Sequence, residues 1–169
     1  MKTIDHSLKF FLILCFIISC EREKDDNPVI SEDPILLAEL LNSSTDTFEI
    51  GANKLILKTY LQRDFMPSIP SRDKHPLIAS VTMTDIDSVQ ISNDLDISKV
   101  YVINGNSIWI STPKNLTQSD TSNFKLKRVS LNGPEWETNY VDVIIEITST
   151  SSNNKYLLIA KNQYIEKTY

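Results

Sequence analysis

The chain has 169 residues, a net charge of −5 and 41% hydrophobic residues, the size and balance of one domain that buries its own core. The acidic balance disfavours nucleic acid, because phosphate contact dominates that affinity. The three glycines, Gly51, Gly105 and Gly133, each stand where a turn is expected. They leave no glycine-rich phosphate cradle, which excludes P-loop and Rossmann-type nucleotide chemistry.

Lys2 and Lys9 against Asp5 make the first residues mildly positive, and Phe10 to Ile18 is unbroken apolar sequence. As a helix that stretch spans roughly 14 Å, about half of a ~30 Å hydrocarbon core, too short to remain as a transmembrane helix. A positive start, a short apolar centre and the small Ser19 describe a secretory signal peptide over residues 1–19. Ile17-Ile18-Ser19-Cys20 resembles the lipobox of bacterial lipoproteins, in which the cysteine is acylated and becomes the first mature residue. Several acyl chains on one residue anchor a protein stably, whereas a single chain does so only marginally. On this reading Cys15 leaves with the signal and Cys20 carries lipid. No thiol then remains for a disulfide, a nucleophile or a metal.

The charged run from Glu21 to Asp26 opens a tether over residues 20–33, which Pro28 and Pro34 prolong. It also resembles the acidic patch behind the lipidated cysteine of surface-exported lipoproteins from Bacteroidota-type bacteria. The expected location is the cell outer membrane, lipid-anchored and outward-facing.

The domain proper is expected over residues 34–169. Asp33 as N-cap and Pro34 at the first helical position start a helix over 34–42, with Leu36, Leu37, Leu40 and Leu41 on one face. From Phe48 the period becomes two. Leu55, Leu57, Thr59 and Leu61 point one way in the first long strand, and Leu77, Ala79, Val81 and Met83 point inward in the next. Residues 100–103 and 107–111 flank Asn104-Gly105-Asn106, a hairpin signal because Asn-Gly readily takes positive φ. A strand over 124–131 follows. Then comes the clearest alternation, Val141, Val143, Ile145 and Ile147 inward with Asp142, Glu146 and Thr148 outward. Strands over 155–161 and 163–168 close the chain. About seven strands without βαβ spacing predict a mainly β fold, an antiparallel sandwich that is immunoglobulin-like in the loose sense. A small, partly open barrel is the alternative.

Chemistry-bearing residues are few. His75, in a charged and proline-flanked loop, reads as a solvated loop residue. Asp85, Asp87, Asp94 and Asp96 form two Asp-x-Asp pairs that could offer calcium oxygens, but EF-hand spacing fails and Asx turns account for such aspartates. Trp109 alternates with Ile108 and Ile110 and reads as core or edge packing. Trp136, in a turn, is a candidate to stack on a sugar or seat a partner side chain. Arg63 is a candidate contact to a carboxylate or a partner, against the alternative of a strand-end ion pair. No cofactor is implied.

Thr59 to Pro67, Val102 to Asn106, Asn132 to Trp136 and Leu157 to Ile165 together resemble a family of small uncharacterised Bacteroidota lipoproteins, over roughly residues 54–168. The resemblance implies a compact secreted domain and supports lipidation; it carries no activity and no catalytic residue. The reading is a membrane-anchored, non-catalytic binding or protein-interaction module, with a protein or glycan partner met at loops 63–76 and 132–139. The alternatives are a structural accessory subunit of an envelope complex and a carboxylate-based hydrolase.

Overall fold

The computed structural model describes residues 27–67, 74–115, 122–152 and 154–169. The signal peptide, Cys20 and the charged run lie outside them. The elements are β1 (Val29–Ser31), α1 (Pro34–Ser43), β2 (Thr47–Ile50), β3 (Asn53–Asp64), β4 (Leu77–Asp85), β5 (Leu95–Asn104), β6 (Ser107–Ser111), β7 (Lys114–Asn115), β8 (Lys125–Gly133), β9 (Tyr140–Ser149) and β10 (Lys155–Thr168).

The protein is mainly β, and its strands form a curled, open sheet shaped as a half-barrel. The seven-strand sandwich is not confirmed. Among the described residues nine strands join along one path, β1-β6-β5-β9-β10-β3-β4-β8-β7, and a tenth, β2, pairs with β3 off that path. The shared element is β10. Its first part runs antiparallel to β9, and its last four residues pair parallel to β3, Ile165 with Leu61 through Thr168 with Asp64. Between the two parts the register shifts at Ala160/Gln163, and Asn162 takes φ 54. Asp142 Oδ1 accepts from the Asn162 N–H at 2.7 Å and fixes this bulge. Bulges of this kind bend a strand and raise its twist. The two terminal strands expected from sequence are therefore one bent strand.

Inside the curl lies the main core. It gathers Leu55, Leu57 and Leu61 of β3, Leu77, Ala79, Val81 and Met83 of β4, and Val141, Val143, Ile145 and Ile147 of β9. These are the inward positions that the alternation predicts. Trp109 of β6 joins them at 2% exposed and meets β8 there. A Cβ on Gly133 would lie 2.6 Å from Trp109 Cζ3. Gly133 is thus not a turn glycine. It sits in β8 without positive φ, and its missing side chain makes room for the indole.

A second core covers part of the outer face. Leu40 of α1, with Leu36 and Leu37 beside it, packs on Tyr101, Ile103, Ile108, Ile144 and Ile159. Asp33 caps the helix by accepting from the Ile35 N–H at 2.8 Å, as the sequence predicts. Leu41, expected on the buried face, is 39% exposed. The tether also ends earlier than read: Val29–Ser31 pairs with Ile108–Ile110 of β6 as an edge strand. Three residues carry too little periodicity to announce a strand.

Candidate functional site

The described ends of loop 63–76 meet residues 135 and 136 of loop 132–139 at one end of the sheet, and Arg63 is what joins them. It sits at the end of β3, only 6% exposed. Its Nε donates to the His75 carbonyl at 2.7 Å and its Nη1 to the Trp136 carbonyl at 2.9 Å, while Nη2 meets Glu135 Oε2 at 3.3 Å. The guanidinium also lies 5.0 Å from the centre of the Phe65 ring. The expected pairing at a strand end is therefore made with Glu135, 72 residues away, and these contacts are all internal to the fold. A buried guanidinium that donates to His75, Trp136 and Glu135 ties these segments together.

His75 is correspondingly not a solvated loop residue. It is half-buried, stacks on Phe65 with ring centres 4.5 Å apart, and its Nδ1 bonds the Asp64 carbonyl. Phe65 in turn stacks on Tyr169 at 5.4 Å. Trp136 is half-buried and packs on the main core. The structure therefore brings Arg63 and Trp136 together at this end of the fold, Arg63 through the Trp136 backbone carbonyl.

The four aspartates separate. Asp85 is 1% exposed at the end of β4. Its Oδ2 accepts from Asn53 Nδ2 at 3.0 Å and the Lys54 N–H at 2.9 Å; its Oδ1 accepts from the N–H groups of Asp87 at 3.0 Å and Val89 at 2.9 Å. Burial acts to raise its pKa, yet the hydrogen bonds from Asn53, Val89, Lys54 and Asp87 together hold it below the ordinary carboxylate value. The Asx-turn reading describes it. Asp87 and Asp94 are exposed, and Asp96 pairs with Arg128 Nη2 at 2.6 Å. Among the described residues no three His, Cys, Asp or Glu gather as a metal site.

Glu146, expected to face solvent, is only 8% exposed on the outer face near α1. It accepts from Ser98 Oγ at 2.8 Å and Tyr101 OH at 3.4 Å, with Lys155 Nζ 3.4 Å away. Burial opposes its charge, but Ser98, Lys155 and Lys99 outweigh this and keep its pKa low. The same burial, together with the Glu146 charge, pushes the Tyr101 phenol up to about 12. Strand alternation gave its direction correctly; the helix lying on that face was not visible in it.

One surface escaped sequence reasoning altogether. Tyr140 of β9 and Tyr164 of β10 are paired residues, and Tyr60 directly precedes the β3–β10 ladder. Their neighbours Val141, Ile165 and Leu61 point into the main core, so all three tyrosines point out on adjacent strands. They are 53%, 54% and 47% exposed. The Tyr140 and Tyr164 rings meet at 5.4 Å, and Tyr60 OH donates to Glu166 Oε2 at 2.9 Å. The signal existed, a tyrosine at an outward position in each of three strands, but only strand order shows them to be neighbours.

No protein-family model matches the chain, and no curated protein or solved structure is significantly similar to it. No helix among the described residues is long and apolar enough to cross a membrane.

Proposed function

We propose that this chain is an outer-membrane lipoprotein, anchored through Cys20, whose half-barrel serves as a non-catalytic binding module for a protein or glycan partner. The observation that carries the binding role is the row of Tyr60, Tyr164 and Tyr140 on the outer sheet face. Tyrosine supplies a large amphipathic contact at low entropic cost, and a paired strand holds it in place before binding. The α1 helix covers the neighbouring part of that face and leaves the row open. Recognition therefore moves from the end loops, which Arg63 and Trp136 close, to the sheet face beside them. The lipobox-like sequence supports the anchor, and the charged run supports display at a distance from the bilayer.

The test is photo-crosslinking in intact cells, with a photoreactive residue at position 164 and the native anchor retained. A discrete crosslinked partner, or a labelled glycan, that disappears with Tyr60→Ala and Tyr140→Ala supports the reading. Crosslinks that persist unchanged in those variants contradict it.

A further inference from the structure

Tyr140, Tyr164 and Tyr60 stand side by side across β9, β10 and β3. Tyr164 pairs with Tyr140, and Tyr164 and Tyr60 each directly precede the paired Ile165 and Leu61. Two inter-strand steps of ~4.8 Å make the row about 10 Å long between its outer Cα atoms. The nearest same-face positions, about 7 Å along each strand, are polar. Glu166 and Gln62, themselves a pair, flank the row on one side, and Asp142 and Lys58 flank it on the other. The apolar strip is therefore one ring wide. Beyond Tyr140 it runs into a recess of about 220 Å³ whose lining includes Tyr140, Asp142, Asn162, Leu41 and Gly105.

These dimensions separate the two kinds of partner. Each tyrosine is about half exposed, so with ~150–250 Å² per aromatic side chain the row offers about 300 Å². A stable protein contact needs about 800 Å² per partner around a desolvated apolar centre. Charged and amide groups stand on both flanks, where that centre would have to widen. A sugar chain has the opposite requirement: C–H faces that stack on aromatic rings, and a rim of hydroxyls that both donate and accept. Carboxylates, an amide and an ammonium lie along that rim here. The Tyr140 and Tyr164 rings are inclined at 58°. Successive faces therefore turn, which suits a single twisted glycan chain and not the flat surface of a crystalline polysaccharide.

We infer that the occupant of the row is a neutral oligosaccharide, two or three of its rings lying across Tyr140, Tyr164 and Tyr60. This rests on the binding role proposed above and names its ligand. Glu166 holds the Tyr60 hydroxyl through Oε2 at 2.9 Å and presents a second carboxylate oxygen to a sugar hydroxyl. Gln62 beside it both donates and accepts. Asp142 and Glu166 lie on opposite flanks, so a uronic-acid or sulfated chain meets a carboxylate whichever way it runs. That repulsion selects against acidic glycans.

The test applies purified full-length protein in detergent to an array of neutral and acidic oligosaccharides, then titrates each retained glycan by calorimetry. Neutral chains should be retained and acidic ones not. Tyr164→Ala should weaken binding about tenfold or more, while Tyr164→Phe, which keeps the ring, should stay within about threefold of wild type. Tyr169→Ala, an exposed tyrosine off the row, should bind as wild type does. Retention of acidic chains alone, or neutral binding that survives Tyr164→Ala, would overturn the inference. A protein crosslinked at position 164 while the array retains no neutral glycan would overturn it too, yet leave the broader binding role standing. If neither a protein nor a glycan is found, both readings fall.

Discussion

Gly133→Ala places one methyl group where the fold has no room for it. The added Cβ would lie 2.6 and 2.7 Å from Trp109 Cζ3 and Cη2 and 2.8 Å from the Leu77 carbonyl oxygen, well inside the 3.4 Å at which ordinary contact begins. The indole is 2% exposed and cannot swing into solvent, and the carbonyl belongs to the backbone of β4. Overpacking of this kind costs about 1–3 kcal/mol, against the 0.4–1 kcal/mol that replacing a glycine usually contributes through the unfolded chain. The net expectation is a loss of about 1–2 kcal/mol, or roughly 3–6 °C in Tm for a chain of this size. Urea titration followed by far-ultraviolet circular dichroism measures it. Trp109→Phe shortens the ring, so Trp109→Phe with Gly133→Ala should lose less than the two single changes added together, with a coupling of about 0.5–2 kcal/mol. A Gly133→Ala protein as stable as wild type would refute the packing of the Trp109 indole against β8.

Other consequences follow from the same geometry. Arg63→Lys keeps the charge but not the fork of donors, and should cost about 2–3 kcal/mol while exposing residues 65–67 and 134–139 to limited proteolysis; unchanged cleavage at those loops would contradict the clamp. Asp85 has its pKa lowered in the fold, so its contribution to stability is present above its unfolded value near ~3.9 and is lost as pH falls through the folded value. Asp85→Asn should therefore destabilise at pH 7, with the gap from wild type closing in strongly acidic buffer; a gap independent of pH would show that its charge is not what the loop uses. Tyr101 should ionise only near pH 12 in an absorbance titration at alkaline pH, and stability should fall as pH rises from ~10 toward that value. Alanine at Tyr60, Tyr140 and Tyr164 together should remove partner capture while moving stability by less than about 1 kcal/mol per site.

Much of the interior was legible because period two records which side chains share a face. The inward sets of β3, β4 and β9 read directly from the sequence, as did the Asp33 cap and the hairpin at Gly105, whose φ is 58. What failed depends on partners distant in the chain. Glu146 faces the predicted direction but lies near α1, and nothing local states where a ten-residue helix will rest. Gly133 looked like a turn because its real constraint, Trp109, lies 24 positions earlier on another strand. The pairing of β3 with β10 links Leu61 to Ile165, and it is parallel, so no hairpin turn announces it.

The candidate site divides the same way. Arg63 and Trp136 stand out as residue types, and the fold does bring them together. Arg63 bonds inward, however, where its several donors hold the His75 and Trp136 carbonyls together. The tyrosines looked ordinary one at a time and form a surface only once β9, β10 and β3 are neighbours.

The most direct test of the proposed envelope role is intact mass spectrometry of the native protein isolated from membranes. The account predicts a chain that begins at Cys20 and carries the mass of several acyl chains, together with a Cys20→Ala variant that takes up no labelled palmitate and leaves the membrane fraction. A chain that retains Met1, or a free amino terminus at another position without lipid, contradicts it.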